Sequence, residues 1–170
     1  GVRRNDALRI DGRDLRARVV GEGGNLGFTQ RGRVEYALAS GRINTDFIDN
    51  AGGVDCSDHE VNIKILLDAV VARNELTPRD RNALLVEMTD SVAELVLKNN
   101  YRQAQAISLV EYQAEDRSIE YQRFIKEFID AGRLDRALEF IPSDDELVER
   151  RALGKTLTRP ELSVLVSYSK

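Results

Sequence analysis

The chain has 170 residues, 42% hydrophobic and 32% charged, so it has the material for one domain with a buried core. Its formal net charge of −4 argues against nucleic acid or an anionic membrane surface as a partner. The single cysteine excludes an intrachain disulfide and fits a reducing cytoplasm. No apolar run reaches the length of a membrane span. Because the chain starts at Gly1 and stops at Lys170 within an amphipathic run, we expect a piece of a longer protein.

The first sixty residues predict a small α/β portion. Arg16 to Val20 is typical of a short strand, and Arg31 to Ser40 is typical of a helix that ends at Gly41. Arg42 to Ile48 predicts a second strand. A cluster of small residues follows each strand. Because a right-handed crossover brings both clusters to the carboxyl edge of a parallel sheet, we expect them to line a ligand crevice there.

The remainder of the chain predicts helices. Ser57 with Glu60 matches a capping box, and helical spacing of apolar residues follows. Similar starting signals stand at Thr77-Pro78, at Ser143 with Glu146, and at Thr158-Arg159-Pro160-Glu161. We therefore predict a mainly α fold with a small α/β portion, in which the end of a parallel sheet is followed by a helical bundle.

The two small-residue clusters are the candidate ligand-binding segments. They are Gly21-Glu22-Gly23-Gly24-Asn25, and Asn50-Ala51-Gly52-Gly53-Val54 followed by Asp55-Cys56-Ser57-Asp58-His59-Glu60. Glycine lets a backbone approach a ligand closely. Asn25 and Asn50 either bind a carboxamide or a ribose hydroxyl, or are turn residues. Ser57 either caps its helix or holds a carboxylate together with the helix amino terminus.

Two other patterns near these clusters are incomplete. Gly21-x-Gly23 lacks the third glycine of a dinucleotide fingerprint, because Leu26 occupies that position. Cys56, His59 and Glu60 have no second cysteine or histidine to complete a zinc site. We therefore predict no metal site.

Taken together, the two clusters resemble glutamate dehydrogenases, whose shorter members carry Glu-Gly-Ala-Asn and then Asn-Ala-Gly-Gly-Val-x-x-Ser-x-x-Glu in this order. Four further segments resemble the large bacterial NAD-specific glutamate dehydrogenases, namely Asn44-Thr45-Asp46, Asp55 to Ile65, Leu76-Thr77, and Leu157-Thr158-Arg159-Pro160-Glu161-Leu162. The resemblance covers essentially the whole chain. It implies that residues 1–60 are the carboxyl-terminal end of a Rossmann-like nucleotide-binding domain. Residues 61–170 are then a helical domain, truncated at its C-terminus.

The resemblance also implies roles for matched positions. The positions implied to bind the cofactor NAD are Gly23, Gly24, Asn25 and Asn50. Asn25 lies beside the nicotinamide ribose, and Asn50 contacts the nicotinamide or the amino-acid end of the substrate. Ser57 holds the γ-carboxylate of glutamate, and Val54 shapes the pocket around the substrate side chain.

The implied reaction is the oxidation of L-glutamate by NAD and water to 2-oxoglutarate, ammonia and NADH. The catalytic Lys and Asp of the family match positions upstream of Gly1, so we predict no catalytic residue in this chain and no activity for the isolated fragment. The implied partners are L-glutamate or 2-oxoglutarate, the remainder of the polypeptide, and further copies of the full-length protein. The alternative is a non-enzymatic helical module for subunit or domain contacts. The long helical segment after Val61 favours that alternative, because so much helix is not needed to hold a nicotinamide.

Overall fold

The computed structural model of this chain describes residues 10–24 and 27–169, and most of them are helical. A 3₁₀ turn at Gly12–Asp14 is followed by α1 (Gln30–Leu38), α2 (Asp46–Asp49), α3 (Ala51–Ala72), α4 (Pro78–Glu87), α5 (Thr89–Tyr112), α6 (Ser118–Asp130), α7 (Asp144–Ala152) and α8 (Arg159–Tyr168). The predicted mainly α class is confirmed. The chain divides into two compact units, Gly1–Asp49 with Ala104–Lys170, and Asn50–Gln103, so that α5 has residues in both.

In place of the two predicted strands, the described residues contain one isolated parallel bridge, between Val19 and Arg42. The Val20 amide donates to the Arg42 carbonyl at 2.9 Å, and the Arg42 amide donates to the Arg18 carbonyl at 3.0 Å. The predicted strand from Arg42 to Ile48 is wrong beyond this bridge, because α2 begins at Asp46. There the amides of the last two α2 residues donate to the Thr45 carbonyl, which turns the chain.

Helix α1 begins with a local cap and ends differently from the prediction. The Thr29 hydroxyl accepts the Gly32 amide at 3.0 Å, which satisfies one of the unpaired donors of the first turn. At the other end Ser40, not Gly41, adopts the left-handed conformation, with φ of 72°. Glycine is needed at position 41 for space, because a Cβ there would overlap the ring of buried Tyr36.

The core of the first unit lies among α5 to α8. Its buried members are Ala114, Ile125, Leu134, Ile141, Leu147, Leu157, Leu162, Val164 and Leu165. Burying each leucine or isoleucine side chain stabilises the fold by about 1.5–3 kcal/mol. A charged pair adjoins this core, since Arg150 donates to both carboxylate oxygens of Glu161 at 2.9 Å.

Three predicted helix starts are confirmed. The Thr77 hydroxyl accepts the Asp80 amide at 3.1 Å, with Pro78 as the first residue of α4. Ser143 and Glu146 form the predicted reciprocal capping box. At the start of α8 the Thr158 amide donates to Glu161 at 2.7 Å. These signals succeed because each involves only residues three apart in the sequence.

The second unit contains α3, α4 and the part of α5 up to Gln103. Two polar contacts join its helices: Arg81 lies 2.7 Å from Asp68, and Asn99 donates to Asp55 at 2.9 Å. Many of its apolar side chains are exposed, namely Val54, Val61, Ile65, Leu66, Val86, Leu95, Leu97 and Tyr101. Over the described residues, no helix is both long and apolar enough to pass through a membrane.

Candidate functional site

The second small-residue cluster is the first turn of α3, and not a loop before a helix. The amides of Gly53 and Val54 both donate to the Asn50 carbonyl, so the helix is already formed six residues before Ser57. The predicted capping box of Ser57 with Glu60 is therefore wrong. The Ser57 hydroxyl donates instead to the Gly53 carbonyl one turn earlier, at 3.0 Å.

Three predicted site residues share one face of this helical segment. Asn50, Val54 and Ser57 are spaced by four and three residues, which places them on the same side. Asn50 has helical backbone angles and its side chain makes no capping bond to α3. Val54 is 52% exposed and Ser57 is exposed. The second unit thus presents an amide, an apolar side chain and a hydroxyl together on an accessible face.

Glycine at position 53 leaves space beside the Asn50 side chain. A Cβ at Gly53 would lie 3.2 Å from the Asn50 Oδ1 atom, closer than ordinary van der Waals contact. At Gly52 the nearest atom to an added Cβ would be Asn100 Nδ2 at 3.5 Å, which is an ordinary contact. Gly53 therefore leaves room for the Asn50 amide, whereas position 52 tolerates a methyl group.

Two of the negatively charged side chains on α3 are engaged with neighbours. Asp55 accepts a hydrogen bond from Asn99 at 2.9 Å and lies 3.6 Å from the His59 ring. Glu60 pairs with Lys64 one turn later, and the hydrogen bond from this ammonium lowers the pKa of Glu60. The Glu60–Lys64 pair therefore carries no net charge near Ser57.

The first small-residue cluster belongs to the first unit. Gly23 and Gly24 are exposed, and predicted residue Asn25 lies outside the described residues. A Cβ at Gly24 would lie 2.8 Å from a carboxylate oxygen of Glu22, whereas a Cβ at Gly21 would meet no atom within 4 Å. A side chain at position 24 would therefore have to displace the Glu22 carboxylate.

A buried arginine that was not predicted from the sequence binds Glu22 of this cluster. The Arg33 side chain on α1 has no exposed surface, and it donates to the Glu22 carboxylate at 2.8 Å. It also donates to the Glu22 carbonyl at 3.3 Å and to the Asn44 carbonyl at 3.0 Å. Its second charged partner is Asp49, at 3.5 Å. Two carboxylates and one buried guanidinium thus hold the start of the glycine cluster.

A signal for Arg33 existed in the sequence. It stands three and four residues before Tyr36 and Ala37, on the side of α1 that also carries buried Tyr36. A cation at such a position needs an anionic partner, because an unpaired buried charge is costly. The acidic residues beside the two small-residue clusters, Glu22 and Asp49, were the candidates.

The first unit also contains an open cavity. That cavity, of about 700 Å³, opens beside the Val19–Arg42 bridge, and Asn44, Lys155 and Arg159 are among its lining residues. Neither Gly23 nor Gly24 lines it. In the part of the chain that the structure describes, no three His, Cys, Asp or Glu side chains are grouped so as to hold a metal ion.

Three known proteins similar to this chain carry the same name. The chain is 64% identical over all 170 residues to the NAD-specific glutamate dehydrogenase of Pseudomonas aeruginosa, and 62% identical to that of Halomonas elongata. It is 45% identical over the same length to the NAD-specific glutamate dehydrogenase of Mycobacterium tuberculosis. In each case the chain spans about 10% of the relative's own length.

A family model agrees with these relatives. The model described as bacterial NAD-glutamate dehydrogenase, catalytic domain, matches residues 1–110. Both small-residue clusters, α1 to α4 and nearly all of α5 lie within the matched residues. The predicted resemblance is confirmed, and the chain belongs to the bacterial NAD-glutamate dehydrogenase family, of which it represents a segment.

Proposed function

We propose that this chain is part of an enzyme that oxidises L-glutamate with NAD and water to 2-oxoglutarate, ammonia and NADH. Its own contribution is one wall of the crevice for nicotinamide and substrate. The observation that carries this proposal is the accessible face of Asn50, Val54 and Ser57, whose residues occur in the order typical of the family. The chain supplies no catalytic residue, so we expect the isolated segment to be inactive.

The residues proposed for the cofactor have the properties that binding requires. Gly23 and Gly24 are exposed and present backbone without side chains. The Asn50 amide is not used in capping α3, so it can donate to and accept from the nicotinamide or the amino-acid end of the substrate. Asn25 remains a proposed ribose contact. Bound NAD would accept the hydride from glutamate, while these residues bind and orient it.

The proposed substrate contact requires a change of hydrogen-bond partner. The Ser57 hydroxyl proton points to the Gly53 carbonyl, and a γ-carboxylate needs that proton as a donor. Rotation of the hydroxyl costs little because the Gly53 carbonyl keeps a helical hydrogen-bond donor, the Ser57 amide. Val54, 52% exposed and one turn before Asp58, is proposed to contact the methylene groups of glutamate.

The finer architecture remains a proposal. We assign residues 1–60 to the end of a Rossmann-like nucleotide-binding domain, and the parallel Val19–Arg42 bridge supports this assignment. We assign residues 61–170 to a helical domain that contacts the remainder of the polypeptide. The full-length protein is proposed to be a cytoplasmic homo-oligomer.

The decisive experiment replaces Ser57 in the full-length enzyme. Ser57→Ala removes one hydrogen bond to a charged group, and we expect the KM for glutamate to rise about tenfold with little change in the KM for NAD. The matched control is Thr89→Ala, because the Thr89 hydroxyl makes the same kind of bond to the carbonyl four residues earlier, at 3.1 Å. An unchanged glutamate KM in Ser57→Ala would refute the carboxylate role.

A second candidate function is supported by the exposed apolar side chains of the second unit. Ile65 and Leu66 are 64% and 63% exposed, which is typical of a surface that contacts another protein or domain. If this contact role is the whole function, Ile65→Ser with Leu66→Ser will change the assembly of the full-length protein, and Ser57→Ala will leave glutamate kinetics unchanged.

A further inference from the structure

A chain of hydrogen bonds in the first unit leads from α8 to the first small-residue cluster. Arg159, the first residue of α8, donates through Nε to the Asn44 Oδ1 atom at 2.5 Å. Asn44 Nδ2 donates to Asp49 Oδ1 at 2.8 Å. The second oxygen of Asp49 accepts the Glu22 amide at 3.0 Å. Three consecutive bonds therefore connect residue 159 to the peptide unit between Gly21 and Glu22.

The Asn44 side-chain amide has one defined orientation in this chain of bonds, because Asn44 lies between a cation and an anion. Its carbonyl oxygen faces the Arg159 guanidinium and its NH₂ group faces the Asp49 carboxylate. Among side chains of this length, asparagine is the one with an acceptor and a donor at its tip. Aspartate at position 44 would accept from Arg159 equally well, but it would face Asp49 with a like charge.

Arg159 is itself held in place by contacts away from this chain of bonds. Its other nitrogen atoms donate to the Ser108 hydroxyl at 3.1 Å, the Glu111 carboxylate at 2.8 Å and the Ala104 carbonyl at 3.3 Å, all on α5. Its side chain is 17% exposed. A guanidinium with four fixed partners has one orientation, so the position of Asn44 follows from the bonds that Arg159 makes to α5.

A second contact joins the same two regions. The Gln30 side chain on α1 donates to the Pro160 carbonyl at 3.3 Å and accepts from the Thr45 hydroxyl at 2.8 Å. Thr45 is 2% exposed and is the neighbour of Asn44. The start of α8 therefore holds the 44–45 segment at two points, through a side chain and through a backbone carbonyl.

We propose that Arg159 is a positioning residue, which holds the Gly21–Gly24 segment through Asn44, Asp49 and Glu22. This rests on the proposed function, in which Gly23 and Gly24 contact the nicotinamide half of NAD. Arg159 lies beyond residue 110, where the match to the catalytic-domain family model ends. The helical segment after residue 110 then positions one wall of the cofactor site without contacting the cofactor itself.

The test uses the full-length enzyme and measures NADH binding by fluorescence titration, without substrate. Asn44→Asp breaks the bond to Asp49 and keeps the acceptor for Arg159, and we expect the Kd for NADH to rise about tenfold, as for a misplaced binding group. The Kd for ADP, which lacks the nicotinamide and its ribose, should stay within about twofold, whereas general loosening of the fold would weaken both ligands. The control Tyr168→Phe removes another hydrogen bond of α8, to Glu139, and should leave both Kd values unchanged.

A paired substitution sharpens the test. In the double variant Asn44→Asp with Asp49→Asn, donor and acceptor are exchanged, so that residue 49 donates to residue 44 and still accepts the Glu22 amide. We expect NADH affinity to recover by about threefold or more relative to Asn44→Asp alone, because coupled neighbours give non-additive effects. No recovery, or an unchanged NADH Kd in Asn44→Asp, would overturn the proposal.

A substitution at Gly24, in the proposed cofactor contact itself, distinguishes failure of this proposal from failure of the proposed function. Gly24→Val places a side chain on the exposed cluster itself and should raise the Kd for NADH at least about tenfold, as obstruction of a binding surface does. If Gly24→Val weakens NADH binding and Asn44→Asp does not, the role of Arg159 is wrong and the proposed function stands. If Gly24→Val has no effect, the proposed cofactor contact is wrong and the role of Arg159 is refuted with it.

Discussion

The guanidinium of Arg33 donates to the Glu22 carboxylate at 2.8 Å, and no part of the Arg33 side chain is exposed. The Glu22 and Asp49 side chains are 20% and 10% exposed, so the group is shielded from water and screened little by salt. The Glu22 carboxylate also accepts the Gly27 amide at 3.3 Å. The conformation of the first small-residue cluster therefore depends on one buried cation.

Replacement of Arg33 by leucine should destabilise the chain strongly. The variant leaves two partly buried carboxylates without their cation, and breaking such a pair costs about 3 kcal/mol. The free energy of unfolding of the 170-residue chain, measured by urea denaturation, tests this. Arg31→Leu on the same helix is the control, because Arg31 is exposed. Equal stability of the two variants would contradict the structural role of Arg33.

Alanine substitutions at Gly21 and Gly24 should have opposite effects. A Cβ at Gly24 would lie 2.8 Å from Glu22 Oε1, so the carboxylate must shift away from its position beside Arg33, at a cost of about 1 kcal/mol. A Cβ at Gly21 meets no atom within 4 Å, and alanine there restricts the unfolded chain, with a gain of up to about 1 kcal/mol. The melting temperatures of the two variants, compared with the wild type, measure the difference. A shift in the same direction for both variants would be inconsistent with these contacts.

Gly41→Ala should disrupt the packing beneath the parallel bridge. An added Cβ would overlap the ring of Tyr36, which is 2% exposed and donates from its hydroxyl to the Ala17 carbonyl at 2.6 Å. Displacing the ring leaves a buried hydroxyl without its acceptor, so we expect a loss of about 2 kcal/mol. Tyr fluorescence and the free energy of unfolding report this change. The control Gly154→Ala has open space but a φ of 67°, so it measures backbone strain alone.

Much of the fold was predictable from the sequence where the signal is local. Thr77 and Ser143 cap helices as predicted, because the capping partners are three residues away. Ser57 carries the same local signal, but the helix starts earlier, since the chain is already turned at Thr45 and helical backbone continues through Gly52 and Gly53. Glycine in a helix costs about 1 kcal/mol relative to alanine, and nothing local in the sequence reveals what offsets that cost.

The site was predictable in part for a similar reason. The face of Asn50, Val54 and Ser57 follows from spacing once the segment is helical, although the sequence analysis placed the helix start too late. The role of Arg159 could not be predicted because its partners are distant in the sequence, whereas the position of Arg33 on the buried side of α1 was a usable signal. Arg159 meets Asn44 across 115 residues, and hydrophobic periodicity carries no information about such a pair.

The capping box of α7 should make the local stability of that helix depend on pH. Hydrogen bonding of the Glu146 carboxylate to the Ser143 amide, at 2.7 Å, lowers the pKa of Glu146 below its usual 4.5. A carboxyl group whose pKa is lowered by folding stabilises the native state above its unfolded pKa. That contribution is lost as the pH falls from 4.5 through the folded value. We therefore expect α7 to be better protected in the wild type than in Glu146→Gln at about pH 6, and the difference to shrink as the pH falls below 4.5. Hydrogen–deuterium exchange of peptides covering residues 143–152, compared between the two proteins at each pH, measures this difference in protection.

The control Glu149→Gln changes an exposed carboxylate of the same helix outside the capping box, and the protection of α7 in this variant should match the wild type at every pH. A difference between wild type and Glu146→Gln that does not shrink as the pH falls below 4.5 would show that the carboxylate form does not carry the cap.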